Sequence, residues 1–111
     1  MLLLGPNPPE LGEEEVNALQ DAHLAHLAEL HDAGHLLAAG PLLGGPDGRF
    51  RGLSIFRSDP ELTRQLCDAD PAVRAGRFTV EILPWMVPGG AIGFSPARFP
   101  RSIAEATGSE A

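Results

Sequence analysis

The sequence predicts an α+β fold in the order β-α-β-β-α-β, which is the ferredoxin-like split βαβ arrangement. Two segments have helical periodicity and cap residues, and three short apolar runs have strand character. The apolar residues Leu2–Leu4 complete the order as the remnant of a first strand. This order predicts one domain with two helices on one face of a four-stranded antiparallel sheet.

The first half of the predicted domain is one long helix followed by a hairpin. The helix is predicted over residues 13–33, because acids occupy its first turn and Gly34 suits a left-handed cap. Strands are predicted over residues 35–43 and 50–57. The Gly-rich stretch 44–48 between them favours a hairpin.

The second half of the predicted domain begins with a capping-box pattern. Ser58 and Glu61 have the spacing of an N-cap and its partner, which predicts a helix over residues 59–69. Asp70 before Pro71 then opens a short turn. The alternation of apolar and polar residues over 78–82 is typical of a half-buried strand.

The C-terminal part of the chain is rich in Pro and Gly. We therefore expect a folded domain over residues 1–86 and an irregular arm with a flexible tail over 87–111, disordered from about residue 107. The arm and the residues leading into it carry four large apolar side chains available for docking, namely Trp85, Ile92, Phe94 and Phe99.

The charge distribution excludes two classes of partner. The net charge is −7, and residues 1–48 alone hold eight acids and no Arg or Lys. An acidic surface repels phosphate groups, so neither nucleic acid nor an acidic membrane is expected as a partner. No apolar run approaches the roughly 20 residues of a membrane-spanning helix. The short apolar start without a basic residue and the single Cys67 favour a cytoplasmic protein without an internal disulfide.

The predicted sheet has apolar groups on both faces. Leu53 and Ile55 fall on the opposite side of their strand from Phe50 and Phe56. Since two helices cover only one face, the other face needs a partner. We expect a homodimer packed through the sheet, with the C-terminal arm crossing to the second subunit.

His23 occupies an unusual place on the first predicted helix. At about 100° per residue it lies at the centre of the apolar stripe, facing the sheet. Two interpretations stay open: a core histidine with satisfied hydrogen bonds, and a general acid/base in an apolar pocket. His23 and His26 are three residues apart and could share a metal ion, but no acidic or cysteine ligand is spaced to complete a familiar site, so no metal is expected.

Asp70 is the second candidate site residue. It can cap the short turn that begins at Pro71. The end of the second helix comes near the start of the last strand in a split βαβ fold. The sequence alone leaves open whether Asp70 reaches His23.

Five stretches of the chain resemble the YCII-related (YciI-like) family, and the resemblance as a whole covers about residues 13–86. They carry, in order, a His, a Gly-Pro and an Asp-Pro motif. The stretches are Ala22–Leu27, Leu30–Leu37, Ala39–Pro41, Ala69–Gly76 and Ile82–Trp85. The chain differs from many relatives in its short first strand, either genuine or due to a misassigned start, and in Gln20, where many relatives carry Arg.

The resemblance implies a dimeric α+β barrel with an active site built from His23 and Asp70. The corresponding hypothesis is an enzyme that uses no cofactor and acts on a small cyclic or aromatic substrate as an isomerase, lyase or dehydrochlorinase. Leu27, Leu53 and Trp85 are its candidate pocket walls. The alternative is a small-ligand-binding or accessory module in which the same pair is structural.

Overall fold

The computed structural model describes residues 1–5, 8–43, 48–95 and 97–108. The predicted hairpin loop over 44–48 lies outside these residues except for Gly48. The described chain has four strands and four helices, in this order: β1 Leu2–Leu4, α1 Glu13–Asp32, β2 Leu36–Pro41, β3 Phe50–Phe56, α2 Pro60–Asp68, α3 Pro71–Arg74, β4 Phe78–Val80 and α4 Ile103–Thr107.

The four strands form one antiparallel sheet in the order β2-β3-β1-β4. This confirms the predicted α+β fold with a four-stranded antiparallel sheet, and the order is compatible with the ferredoxin-like arrangement. None of the helices in the described part of the chain is both long enough and apolar enough to cross a membrane.

Helix α1 follows its prediction closely. It begins at Glu13, whose neighbours Glu14 and Glu15 also place negative charge at the positive end of the helix dipole. It ends at Asp32, and Gly34 then adopts a φ of 85°, which favours glycine. The predicted start is exact, and the end lies one residue earlier than predicted.

The core lies between α1, α3 and the sheet. Leu36 of β2 is 1% exposed and is the largest side chain that is fully buried. Five further apolar residues are buried, namely Leu3, Ala28, Leu30, Ala72 and Phe78. Three polar residues share this burial, namely His23, Thr63 and Asp70. Buried polar groups need partners, so these three residues need a structural explanation.

The predicted N-cap of α2 is wrong and lies one residue too early. Asp59, not Ser58, is the N-cap: its side chain accepts a hydrogen bond from the Leu62 amide at 2.7 Å. Pro60 then occupies the first turn, where its missing N–H costs nothing. The hydroxyl of Ser58 instead forms a 2.6 Å hydrogen bond with the hydroxyl of Thr63.

One face of the sheet is turned away from the helices. Leu36 pairs with Phe56, and opposed residues share a face, so Phe56 points toward the helix side. Leu53 alternates with this set and is 46% exposed. The predicted alternation is interrupted at Arg51, because Leu2 pairs with Gly52 whereas Leu3 pairs with Phe50. Phe50 therefore does not follow the simple alternation from which its face was predicted.

Strand β4 is shorter than predicted. It ends at Val80, which pairs with Leu2, the first residue of β1. Since the partner strand is three residues long, the pairing ends with two bonds between Met1 and Glu81. The Glu81 amide donates to the Met1 carbonyl and the Met1 ammonium donates to the Glu81 carbonyl, both at 2.8 Å. The alternation of apolar and polar residues continues to Ile82, but the strand pairing with β1 ends at Val80.

The expectation of an irregular tail is wrong for its last described part. Helix α4 includes Thr107, which was expected to be disordered, and residues 97–107 dock on α1. Arg101 forms an ion pair with Asp32, and the Ile103 amide donates to the Asp21 carboxylate at 2.8 Å. Tertiary contacts with α1 therefore order a segment that has little periodicity of its own.

A close backbone approach makes Gly5 sensitive to substitution. A Cβ at Gly5 would lie 2.3 Å from the carbonyl oxygen of Gly76. The carbonyl oxygen belongs to the backbone and cannot rotate away as a side chain would, so we expect Gly5→Ala to lower the free energy of unfolding by about 1–3 kcal/mol. Gly40→Ala is the matched control, because a Cβ at Gly40 has no neighbour within 4 Å. Equal stability of the two variants in urea denaturation would contradict this prediction.

Candidate active site

His23 lies on the buried side of α1 and faces the sheet, as its place in the apolar stripe predicts. The residue is 7% exposed. Its ring centre lies 5.8 Å from that of Phe78, the first residue of β4, with the two planes tilted by 56°. The imidazole is therefore held between helix and sheet in largely apolar surroundings.

Asp70 approaches His23 from the junction between α2 and α3. It is the N-cap of α3, and its Oδ1 accepts a hydrogen bond from the Ala72 amide at 2.9 Å. Pro71 takes the first position of α3 and fixes the chain direction there. The capping role that the sequence predicted for Asp70 is confirmed, and it leaves the second carboxylate oxygen available.

That second oxygen binds His23. Nδ1 of His23 lies 2.5 Å from Oδ2 of Asp70, and the exposed fractions of the two side chains are 9% and 5%. A contact this short between buried groups is a charge-assisted hydrogen bond, in which Nδ1–H donates to the carboxylate. Each oxygen of Asp70 thus has one donor, and this fixes the orientation of the imidazole.

The other ring nitrogen of His23 has a different environment. Nε2 makes no hydrogen bond with the described residues. Because Nδ1 holds its proton against Asp70, Nε2 is the atom at which a proton can enter or leave the ring.

Phe78, the residue whose ring packs against His23, is also one of the lining residues of an open cavity. The cavity has a volume of about 360 Å³, is open to solvent, and lies between α2, α3 and β4. Phe78, Thr79 and Val80 line it on one side, and Arg64 and Asp68 line it on the other. Phe78 lines this cavity, and its ring centre also lies 5.8 Å from that of His23, whereas neither His23 nor Asp70 lines the cavity.

The other histidines of α1 have structural partners. Nε2 of His26 donates to the Leu66 carbonyl at 2.8 Å and thereby ties α1 to α2. The nitrogens of His31 lie 2.8 Å from the Leu36 carbonyl and 3.0 Å from that of Ala97. His23 is therefore the histidine of α1 that contacts a carboxylate.

The structure brings together two of the predicted site residues. Leu27 is half-buried on α1, Leu53 is exposed on the helix-free face, and Trp85 is 62% exposed beyond β4. None of the three lines the cavity described above. Their assignment as pocket walls stays a prediction.

The sequence analysis missed Phe78 as a site residue. Its position at the start of the last strand, shortly after the Asp-Pro turn, could have indicated that it lies near Asp70. Its packing against His23 depends on the β1–β4 register, in which Leu4 pairs with Phe78. A single sequence does not determine that register.

The described residues offer no metal site and one free thiol. Within residues 1–5, 8–43, 48–95 and 97–108, no group of three or more His, Cys, Asp or Glu side chains could hold a metal ion. Cys67 is half-buried near the end of α2 and forms no disulfide. Burial raises the pKa of the Cys67 thiol, and the charge of Arg64 opposes this rise only in part.

The raised pKa predicts slow alkylation of Cys67. A higher pKa means a smaller thiolate fraction at any given pH, and the thiolate is the reactive form. We expect iodoacetamide at pH 8 to modify the folded protein more slowly than the same protein in urea, with the folded rate increasing only at higher pH. Mass spectrometry of quenched samples measures both rates. Equal rates would contradict the prediction.

Comparison with known proteins identifies a family for this fold and site. The family model of the YCII-related domain matches residues 1–86, which include His23, Asp70 and Phe78. No curated protein matched the chain, and no solved structure did. The matched segment covers well over half of the 111 residues. The chain belongs to the YCII-related family.

Proposed function

We propose that this protein is a cofactor-independent enzyme in which His23 is the general acid/base and Asp70 is its positioning residue. The observation that carries the proposal is the 2.5 Å contact between Nδ1 of His23 and Oδ2 of Asp70, both largely shielded from water. An imidazole paired with a buried carboxylate is the arrangement by which proteins hold one tautomer and stabilise the ring once it is charged.

The proposed chemistry follows from the two ring nitrogens. Nδ1–H donates to Asp70, so Nε2 carries the lone pair and removes a proton from the substrate. The resulting imidazolium is stabilised by the carboxylate beside it. Return of that proton to another substrate atom gives an isomerisation, whereas loss of a leaving group from the carbanion gives an elimination.

The proposed substrate is a small cyclic or aromatic compound with an acidic C–H bond. The cavity of about 360 Å³ is of a size that suits such a compound, and Phe78, which lines it, packs against the His23 ring. Leu27, Leu53 and Trp85 remain part of the proposal as further apolar walls. Contact with Nε2 requires that the Phe78 ring rotate or that the substrate enter beside it.

A general proton-abstraction probe tests this function. In 5-nitrobenzisoxazole a base removes the ring C–H proton, the C–H electron pair forms a nitrile, and the N–O bond breaks to release a coloured phenolate. We expect His23→Gln to lower the rate about 10²-fold or more. His26→Gln is the matched control, because His26 lies on the same helix and bonds a carbonyl. Equal rates in wild type and His23→Gln would contradict the proposal.

The second candidate function is a non-catalytic ligand-binding or accessory module. It is favoured by the capping bond of Asp70, which gives the carboxylate a structural role without any chemistry. In that case His23→Ala would lower the free energy of unfolding by about 1–3 kcal/mol, because it leaves a buried partner unsatisfied. Because breaking this buried contact lowers stability under either function, the rate with 5-nitrobenzisoxazole separates the two. A module without chemistry predicts the same rate in wild type and in His23→Ala.

A further inference from the structure

Both ring nitrogens of His31 face backbone carbonyl oxygens. Nδ1 lies 2.8 Å from the oxygen of Leu36, and Nε2 lies 3.0 Å from the oxygen of Ala97. A carbonyl oxygen only accepts hydrogen bonds, and a neutral imidazole has a single N–H to donate. The two contacts are therefore both hydrogen bonds only when the ring carries two protons and a positive charge.

The surroundings of His31 favour that charge. The residue lies in the last turn of α1, at the negative end of the helix dipole. Its ring stacks on Phe99 with ring centres 4.0 Å apart and planes inclined by only 9°, and the face of an aromatic ring attracts a cation. Hydrogen bonding, helix dipole and ring stacking thus all favour the imidazolium form.

The charged groups around His31 leave it free of an unbalanced cation on the docked tail, residues 97–107. The titratable and charged side chains of the surrounding elements are Asp21, Glu29 and Asp32 of α1, His35 before β2, Arg57 after β3, and Arg98, Arg101 and Glu105 of the tail. Strand β2 itself has none. Arg98 pairs with Glu105, and Arg101 pairs with Asp32. The two tail cations that could repel an imidazolium are therefore balanced by carboxylates.

A neutral His31 can keep only one of its two hydrogen bonds. Leu36 is 1% exposed and lies five residues along the chain, so losing that bond would leave a carbonyl in the core without its donor. The neutral ring therefore keeps its proton on Nδ1. The lone pair of Nε2 then faces the oxygen of Ala97, which also carries lone pairs, and this contact becomes repulsive.

We propose that the protonation state of His31 controls whether residues 97–107 stay docked on α1. The charged ring holds the tail through Ala97 and Phe99, and loss of one proton weakens this attachment. Because docking takes up a proton, it is favoured at low pH and weakens as the pH rises through the range of about 5–8 in which imidazoles titrate. The tail lies outside residues 1–86, which match the family model, so this control belongs to the extension of this chain. It does not depend on whether His23 and Asp70 perform catalysis.

Carboxylates set an acid limit to the same docking. Asp32 holds Arg101, and Asp21 accepts from the Ile103 amide. Carboxylates become protonated near about pH 4, and both contacts then weaken. Docking should therefore be strongest at weakly acidic pH, between the titration of these two carboxylates and that of His31.

Hydrogen exchange at the Ile103 amide measures docking, because this N–H is bonded to Asp21 only while the tail lies on α1. Its protection factor is the exchange rate of the unfolded chain divided by the observed rate at the same pH. We expect this factor to fall at least about threefold from pH 6 to pH 8 in the wild-type protein, since one hydrogen bond is lost. Over the same range, the NMR shifts of the His31 ring nitrogens should change from those of an imidazolium to those of a neutral ring.

Two variants assign the effect to His31. His31→Gln removes the titrating group, so its protection factor should be the same at pH 6 and at pH 8. His26→Gln is the matched control, because His26 lies on the same helix and its ring bonds the single carbonyl of Leu66, and it should retain the wild-type pH dependence. A constant wild-type protection factor, a pH dependence that persists in His31→Gln, or a neutral His31 ring in a fully protected tail would overturn the proposal.

Discussion

Replacing Asp70 with Ala is expected to lower the free energy of unfolding by about 3–5 kcal/mol. The substitution removes the carboxylate that binds His23, so a buried imidazole is left without its partner. It also removes the acceptor for the Ala72 amide at the start of α3. Urea denaturation followed by circular dichroism measures the loss.

Two control variants divide this loss between its causes. Asp59→Ala removes an exposed N-cap that accepts from the Leu62 amide, and it should cost only about 1 kcal/mol. Asp70→Asn retains an oxygen for the Ala72 amide and should fall between the two. If Asp70→Ala cost no more than Asp59→Ala, the buried contact with His23 would contribute nothing to stability.

The sequence predicts the buried position of His23 but not the contact that Asp70 makes with it. His23 could be identified because helical periodicity places it in the apolar stripe of α1, and the structure buries it there. Asp70 could be identified only as a cap before Pro71. Their contact joins residues 47 positions apart and depends on how α3 packs against α1, which no local pattern encodes.

The second large effect is expected at Phe78. Its side chain is buried and packs against the His23 ring, and the residue also lines the cavity. We expect Phe78→Ala to lower the free energy of unfolding by about 3–5 kcal/mol, because it removes a large core side chain and leaves a void. The same change should expose His23, which faster modification by diethyl pyrocarbonate would reveal.

The control for Phe78 is Phe99, whose ring stacks on His31 outside the core. Phe99→Ala should lose the ring stacking, worth about 1 kcal/mol, and a smaller buried surface, and it should leave the modification rate of His23 unchanged. If Phe78→Ala left that rate at the wild-type value, Phe78 would not shield the His23 ring.

The fold was predictable where elements have strong local signals. The strand order follows from the β-α-β-β-α-β sequence of elements, and α1 has acids at its start and Gly34 after its end. The prediction failed where a single contact decides the structure. Asp59 and Ser58 are both good caps, and Pro60 makes the difference because it occupies the first turn of α2.

The docking of residues 97–107 on α1 was not predictable for the same reason, because it depends on contacts between distant residues. Helix α4 is five residues long, too short to be stable alone, and it is held by Ser102 as its cap and by contacts to α1. The residues of α1 that hold the tail, Asp21, His31 and Asp32, look like ordinary solvated positions in the sequence. Their partners lie 66 to 82 positions further along the chain.

A double-mutant cycle on the proton-abstraction probe tests the His23–Asp70 pair most directly. The rates with 5-nitrobenzisoxazole are measured for wild type, His23→Gln, Asp70→Asn and the double variant. If Asp70 acts through His23, Asp70→Asn should lower the rate at least about tenfold, and the double variant should be no slower than His23→Gln alone. A wild-type rate in Asp70→Asn, or losses that add in the double variant, would contradict a catalytic pair.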